Sequence, residues 1–171
     1  PAHKVPRQGV GYVPQGRRLF AELTVAENLE IALMAGRGGH DARDGARNGA
    51  LAHFPVLGVR LGQRAGTLSG GEQQMLALAK ALLVDPDVLC IDELSLGLAP
   101  VVVQQLLEIV EELRDGGLTM IIVEQSLNVA LALADRAVFM EKGAVRFQGA
   151  AAELAERDDL ARAVFLGSSG G

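Results

Sequence analysis

Short apolar runs alternate with helix-like segments along most of this chain of 171 residues. The runs "VGYV" (10–13), "DVLCID" (87–92), "LTMIIVE" (118–124) and "RAVFM" (136–140) have the length of strands. The second and third runs are continuously apolar, which is typical of parallel strands buried on both faces. A segment with helical spacing of apolar residues precedes each of the last three runs. Helix followed by strand, three times over, predicts crossover units on a mostly parallel sheet and therefore an α/β fold.

Proline and glycine mark where the predicted helices begin and end. The first helix covers about residues 70–84 and stops before Pro86. The second begins at Pro100, runs through Leu113 and is ended by Gly116. A third helix is predicted over residues 127–134.

We expect residues 1–171 to form one partial domain with a small helical lobe inserted at about residues 24–65. Within this lobe, residues 36–49 are rich in glycine and charge, and we predict a mobile loop there. The segment "MEKGAVRFQG" predicts a turn followed by an alternating strand. A β-hairpin and a helical tail are therefore expected at about residues 136–167.

Composition argues against two classes of interaction. The formal charge is −5, from 16 Lys plus Arg against 21 Asp plus Glu, and the bases are not concentrated in any stretch. We therefore expect no nucleic-acid partner. No run reaches the ~18 consecutive apolar residues of a membrane span, so no direct membrane insertion is expected. The single cysteine, Cys90, lies in an apolar run and favours a reducing, cytoplasmic compartment.

The stretch "TLSGGEQQ" (67–74) marks the start of the first predicted helix. Ser69 and Glu72 have the spacing of a capping box, which satisfies the free amide groups of a helix start. Gly70 and Gly71 follow the cap, although a glycine costs a helix up to ~1 kcal/mol relative to alanine. Bare amides at a helix N-terminus allow an anion such as a phosphate to approach closely. We interpret this turn as a phosphate contact.

Two adjacent acids, Asp92 and Glu93, follow the apolar run 88–91. They therefore lie at the carboxyl end of a predicted strand, where open α/β sheets bind ligands. One acid could mark a strand that merely reaches water, whereas two suggest separate roles. Asp92 is a candidate oxygen ligand for Mg²⁺, and Glu93 is a candidate base that orients attacking water.

Three motifs resemble those of ABC-type ATPases. "LSGGEQQ" resembles the signature motif of that family, "VLCIDE" resembles its Walker B strand, and "VGYVPQ", ending in Gln15, resembles its Q-loop. The segments "VPQGRRLFAELTVAENL", "DELSLGLAP" and "VEQSLNVALALADRAVFMEKG" are similar to the ATP-binding subunits of branched-chain amino-acid importers. The resemblance covers essentially the whole chain and implies a P-loop NTPase-like fold.

The resemblance also implies an assembly and a set of partners. Two subunits would meet head to tail with two ATP molecules between them, as a homodimer or a heterodimer. Transmembrane permease subunits would hold this pair at the inner face of the cell membrane, as peripheral proteins on the cytoplasmic side. Ser69, Gly70 and Gly71 would contact the γ-phosphate of the ATP held by the opposite subunit, and Glu72 belongs to the same nucleotide-binding turn.

Further roles are implied at the acid pair and beyond it. Asp92 would hold Mg²⁺ through water, Glu93 would be the general base, and Gln15 would reach Mg²⁺ or the attacking water. Family members usually have a histidine where this chain has Gln125, which can hydrogen-bond a γ-phosphate oxygen without titrating. Arg17, like its neighbour Arg18, is expected to be solvated rather than to brace the Q-loop.

The sequence contains no G-x-x-x-x-G-K-[ST] motif. In P-loop ATPases this loop cradles the phosphates of the subunit's own nucleotide. We therefore expect the chain not to turn over ATP by itself, and interpret it, with its start at Pro1, as a fragment lacking the N-terminal P-loop unit. The lost strand would leave strand edges and apolar surface uncovered, so we expect the isolated chain to be marginally stable or prone to aggregate.

The leading hypothesis is the ATP-hydrolysing, energy-coupling subunit of an ABC importer for branched-chain or related amino acids. The ATPase subunit of a urea or amide importer is an alternative, as is an ABC-type ATPase of translation or DNA repair. A third is a catalytically silent module that docks on an intact partner. An in-frame P-loop upstream of Pro1 would exclude the silent module.

Overall fold

The computed structural model describes residue 5, residues 8–36 and residues 40–156, without the side chains of residues 40–44. The described residues form two compact units, one within residues 1–123 and the other within residues 124–171. In chain order the elements are β1 (Val10–Val13), α1 (Val25–Ala35), α2 (His40–His53), α3 (Pro55–Gly58), a 3₁₀ turn (Ala65–Thr67), α4 (Gly70–Leu82), β2 (Val88–Asp92), α5 (Pro100–Asp115), β3 (Thr119–Val123), α6 (Leu127–Leu133), β4 (Arg136–Glu141), β5 (Ala144–Ala150) and α7 (Ala151–Ala155).

The first unit contains a parallel sheet, as the sequence predicts, and its strand order is β1-β2-β3. The chain passes through α4 before it enters β2 and through α5 before it enters β3, which is the crossover pattern of α/β folds. Gly11 allows α4 to lie close to β1, because a Cβ at this position would stand 2.8 Å from the carbonyl oxygen of Ala81. The α/β prediction is confirmed.

One face of this sheet is covered and the other is largely open. Leu89 and Ile91 of β2 are buried, together with the apolar side of α4. On the opposite face, Tyr12, Ile121 and Val123 are 56%, 56% and 57% exposed. The prediction that β3 is buried on both faces is therefore wrong for the described residues. A continuous apolar run signals a strand but does not reveal which faces receive a packing partner.

Residues 40–49 belong to α2, so the predicted mobile loop is wrong over this part of the segment 36–49. Gly45 and Gly49 weaken a helix by their intrinsic propensity. However, α2 packs against its neighbouring helices in the lobe, and Ala50 is buried near its end. Tertiary packing supplies most of the stability of short helices in proteins and here outweighs the two glycines. Residues 37–39 lie outside the described residues.

A buried asparagine connects several segments of the helical lobe through hydrogen bonds. Asn28 is fully buried, and its Nδ2 donates hydrogen bonds to the carbonyl oxygens of Phe20 and Thr24, each at 3.0 Å. Its Oδ1 accepts from the backbone N–H of Phe20 at 3.0 Å and from Nζ of Lys80 at 3.4 Å. The ammonium of Lys80 also lies 4.9 Å from the centroid of the Phe20 ring, and burial lowers the pKa of Lys80. These contacts tie the segment after β1 to α1 and α4.

The second unit is built around the antiparallel pair β4-β5. Lys142 and Gly143 form the predicted turn, with φ values of 49° and 79°. The expected third crossover is wrong, because within the described residues β4 pairs with β5 and is not part of the three-stranded sheet. A tight turn directly after an alternating strand favours a hairpin over a crossover. The predicted tail beyond residue 156 lies outside the described residues. Among the described helices, none has both the length and the apolar character to span a bilayer.

Candidate functional site

The two predicted acids lie where β2 ends, at the carboxyl edge of the parallel sheet. Asp92 is the last residue of β2 and is in register with Val123 of β3. Glu93 follows with a φ of 54°, and its backbone N–H donates to the carbonyl oxygen of Val123 at 2.9 Å. A residue other than glycine in this left-handed region costs about 1–3 kcal/mol, and such strain concentrates at functional sites. The next residue, Leu94, is fully buried and anchors the turn.

Gln15 and Glu93 meet at this edge although 78 positions separate them in the sequence. The Nε2 of Gln15 donates a hydrogen bond of 2.5 Å to Oε2 of Glu93. The two residues follow neighbouring parallel strands, so the sheet brings them to the same edge. Their hydrogen bond fixes the orientation of a carboxylate at the place where open α/β sheets bind ligands.

Ser69 and Glu72 form the predicted capping box at the start of α4. Ser69 Oγ accepts from the N–H of Glu72 at 3.3 Å, and Glu72 Oε2 accepts from the N–H of Ser69 at 2.8 Å. Arg60 pairs with Glu72 Oε1 at 2.8 Å. The hydrogen bond from the backbone of Ser69, followed by smaller contributions that include the charge of Arg60, lowers the pKa of Glu72. Ser69 and Gly70 are exposed, so this turn presents a hydroxyl group and a bare backbone to solvent.

Gly71 differs from Gly70 because it is buried against α5. A Cβ at position 71 would lie 2.4 Å from Cγ1 of Val102, whereas a Cβ at position 70 would make ordinary contacts at 3.4 Å or more. Packing is thus a sufficient reason for glycine at 71, and the sequence gives no sign of it. The argument for a backbone bared toward an anion applies to Gly70.

Gly71→Ala should therefore destabilise the chain, whereas Gly70→Ala should not. We expect Gly71→Ala to lower the free energy of unfolding by about 1–2 kcal/mol, because the stiff Val102 side chain must shift to admit a methyl group. Urea unfolding followed by circular dichroism measures the change. Adding Val102→Ala should recover at least about half of the loss, since it removes the clashing atom. Equal effects at positions 70 and 71 would contradict this account of the packing.

Arg17 is not simply solvated, contrary to the sequence expectation. Its Nε donates to Oε1 of Gln74 at 3.2 Å, and its Nη1 donates to Oε1 of Gln73 at 3.3 Å. Arg18 is exposed. The sequence did not identify this contact because the partners lie 56 and 57 positions away, and only the fold brings them together.

Gln125 belongs to the second unit. It is exposed, in a bend directly before Ser126, whose Oγ accepts from the N–H of Val129 at 3.5 Å and caps α6. Gln15, Ser69, Gly70, Gly71, Glu72, Asp92 and Glu93 all belong to the first unit.

The side chains at the sheet edge are suited to activating water beside a phosphate. A carboxylate held by an amide can accept a proton from water. The neighbouring carboxylate of Asp92 and the amide oxygen of Gln15 are hard oxygen donors, which Mg²⁺ prefers. Over the described residues, no group of three or more His, Cys, Asp or Glu side chains is arranged to hold a metal ion.

The chain matches a known protein family over residues 1–95, described as "ABC transporter". It is 47% identical over 149 residues to the high-affinity branched-chain amino acid transport ATP-binding protein BraG of Pseudomonas aeruginosa, covering 85% of this chain and 61% of BraG. It is 40% identical over 159 residues to the probable branched-chain amino acid transport ATP-binding protein LivF of Archaeoglobus fulgidus, covering 92% of this chain and 66% of LivF. The chain therefore spans less than two thirds of either relative.

The fold is similar to that of solved ATP-binding cassettes. The dimeric, post-hydrolysis structure of the cassette MJ0796 bound to ADP and Pi superposes with a TM-score of 0.70 at 25% identity. That superposition covers 83% of this chain and 62% of the cassette. The P-loop NTPase-like α/β fold expected from the sequence is confirmed by this likeness.

Proposed function

The chain belongs to the ABC transporter family of ATP-binding domains, and from that premise we propose that it is part of the ATP-hydrolysing subunit of an importer for branched-chain or related amino acids. The observation that carries the ATPase proposal is the hydrogen bond between Gln15 and Glu93 at the carboxyl edge of the sheet. The identity of 47% with BraG supports the choice of cargo.

In this proposal Glu93 is the general base. It takes a proton from the water that attacks the γ-phosphate of ATP, and the bond from Gln15 keeps its carboxylate in position. The left-handed backbone at Glu93 starts the turn away from β2, so the carboxylate leaves the strand where the nucleotide is expected. Gln125 would hold a γ-phosphate oxygen through its amide, without a change of protonation.

Asp92 and Gln15 are the residues that would hold Mg²⁺. With Nε2 of Gln15 bonded to Glu93, its Oε1 is the atom suited to the metal, and Asp92 would act through a bound water. When bound, Mg²⁺ neutralises charge on the phosphate oxygens during phosphoryl transfer.

The turn at Ser69 would serve the nucleotide of a second subunit. Ser69 and Gly70 are exposed and would contact its γ-phosphate with a hydroxyl group and backbone N–H groups. Glu72 holds this turn through the capping box, and Gly71 holds it through close packing on α5. The subunit would therefore work as a homo- or heterodimer, attached to permease subunits on the cytoplasmic face of the membrane.

A fusion protein tests this proposal, because the sequence itself lacks a phosphate-binding loop. In the P-loop fusion, this chain follows a strand–G-x-x-x-x-G-K-[ST]–helix unit taken from an ABC-type ATPase. We expect the fusion to hydrolyse ATP in the presence of Mg²⁺ and to dimerise when ATP is added. Phosphate release and size-exclusion chromatography measure these two properties.

Cargo is tested separately, in cells whose branched-chain importer lacks its own ATP-binding subunit. The P-loop fusion should restore uptake of labelled leucine, and the same cells without the fusion are the control. Hydrolysis without uptake of any branched-chain amino acid would contradict the cargo while leaving the ATPase intact. A folded fusion that binds ATP but releases no phosphate would contradict the ATPase itself.

A further inference from the structure

Arg17 lies in a short loop whose backbone is unusual. Gly16, Arg17 and Arg18 have positive φ values of 77°, 66° and 42°. The N–H of Arg17 donates to the carbonyl oxygen of Pro14 at 3.2 Å, and that of Arg18 to Gly16 at 2.7 Å. Two consecutive non-glycine residues in the left-handed region need other contacts to hold them there.

Those contacts come from the start of α4. The Nε and Nη1 of Arg17 bond to the side-chain oxygens of Gln74 and Gln73. Gln74 is only 4% exposed, so this amide is itself fixed by burial. The Nη1 and Nη2 atoms of Arg17 also lie 3.5 and 3.4 Å from where a Cβ on Gly70 would stand. The guanidinium thus lies beside the first turn of α4 and bonds to two successive side chains of that helix, while Ser69 and Gly70 stay exposed.

The same loop reaches Glu93 at its other end. Gln15, two residues before Arg17, holds the Glu93 carboxylate. Glu93 is therefore connected to α4 through the Gln15 side chain, the backbone turn that the bond from Arg17 N–H to Pro14 closes, and the Arg17 side chain. In the proposed dimer, Glu93 serves the subunit's own nucleotide and the turn at Ser69 serves the partner's.

We propose that Arg17 is a positioning residue that sets the orientation of Gln15 toward Glu93 together with the position of the Ser69–Gly71 turn. The effect of Arg17 on ATP turnover rests on the proposed function. Its effect on the positions of Gln15 and of the Ser69–Gly71 turn rests on the hydrogen bonds alone. Arg17 acts through its neighbours and is not assigned a contact with ATP.

The effect of Arg17 on structure is tested in the P-loop fusion, in the absence of nucleotide. In ¹⁵N-labelled protein, the side-chain NH₂ resonances of Gln15 are assigned as the pair that Gln15→Leu removes. Arg17→Ala should move these resonances toward the positions of a solvent-exposed amide and speed amide hydrogen exchange at residues 72–74 about tenfold. Arg17→Lys should recover only part of the effect, because an ammonium cannot reproduce the two-pronged contact. Arg18→Ala is the matched control and should leave both readouts unchanged.

The effect of Arg17 on ATP turnover is also tested in the P-loop fusion. Arg17→Ala should lower kcat about tenfold and change the KM for ATP by less than about twofold, because binding groups remain while their alignment is lost. A change in KM without a change in kcat would overturn the positioning role. The role would also be overturned if Arg17→Ala moved the Gln15 resonances no further than Arg18→Ala does. Circular dichroism on each variant separates these outcomes from unfolding, and Arg17→Lys decides the question if Arg17→Ala does not fold. A fusion with Arg17 intact that releases no phosphate contradicts the proposed function, while the resonances still decide the role of Arg17.

Discussion

Glu93→Gln in the P-loop fusion lowers ATP turnover about 10²–10⁴-fold while ATP-dependent dimerisation persists. Glutamine has nearly the same shape as glutamate and can still bond to Gln15, so the geometry of the edge is kept. It cannot accept the proton of the attacking water, so only the chemical step is lost. Phosphate release measures turnover, and size-exclusion chromatography with ATP measures the dimer, which should accumulate because it no longer hydrolyses its nucleotide.

Glu22→Gln is the matched control for this substitution. Glu22 is an exposed carboxylate in the same unit, 3.6 Å from Arg64, and its replacement removes one surface charge. Turnover in this variant should stay within about twofold of the unmodified fusion. If Glu93→Gln kept more than about a tenth of the turnover, the base would have to be another residue.

Asn28→Leu lowers the free energy of unfolding by about 2–4 kcal/mol. The fully buried side-chain amide of Asn28 forms hydrogen bonds with both the N–H and the carbonyl oxygen of Phe20. Leucine fits the volume but leaves these partly buried backbone groups without their partner, and each lost partner costs up to about 1–3 kcal/mol. The ammonium of Lys80 also loses an acceptor in a half-buried position.

Urea unfolding measures this effect on the first unit. The fluorescence of Tyr12, the single tyrosine of the chain, reports on β1 in that unit, and circular dichroism follows the helices. Asn48→Leu provides the control, because Asn48 is exposed on α2 and its substitution should change stability by less than about 0.5 kcal/mol. Equal losses at positions 28 and 48 would show that the Asn28 network contributes little.

Features encoded within a few neighbouring residues were predictable from the sequence. The Ser69–Glu72 capping box depends on residues three positions apart, and the parallel strands depend on short apolar runs. The acid pair at the end of β2 could be placed at the carboxyl edge because an apolar run stops there. In each case the signal and the structure involve the same short stretch of chain.

Features that depend on distant contacts were not predictable. The reason for glycine at 71 is Val102, and the partners of Arg17 are on α4; neither pairing leaves a local pattern. The helix α2 forms despite two glycines, because it packs against neighbouring helices, and Ala50 is buried near its end. The hairpin of β4 and β5 formed as expected, whereas the third crossover was wrong, because an apolar run alone does not reveal which strand it will join.

Because one face of the parallel sheet is largely exposed, the stability of the chain depends on what binds that face as well as on the sequence. On one face of the sheet, Tyr12, Ile121 and Val123 are each more than half exposed to solvent. By mass action, any molecule that binds this face in the folded state and not in the unfolded state adds RT ln(1 + [L]/Kd) to the unfolding free energy. In the presence of such a molecule, the melting temperature of this chain therefore rises with the concentration of that molecule.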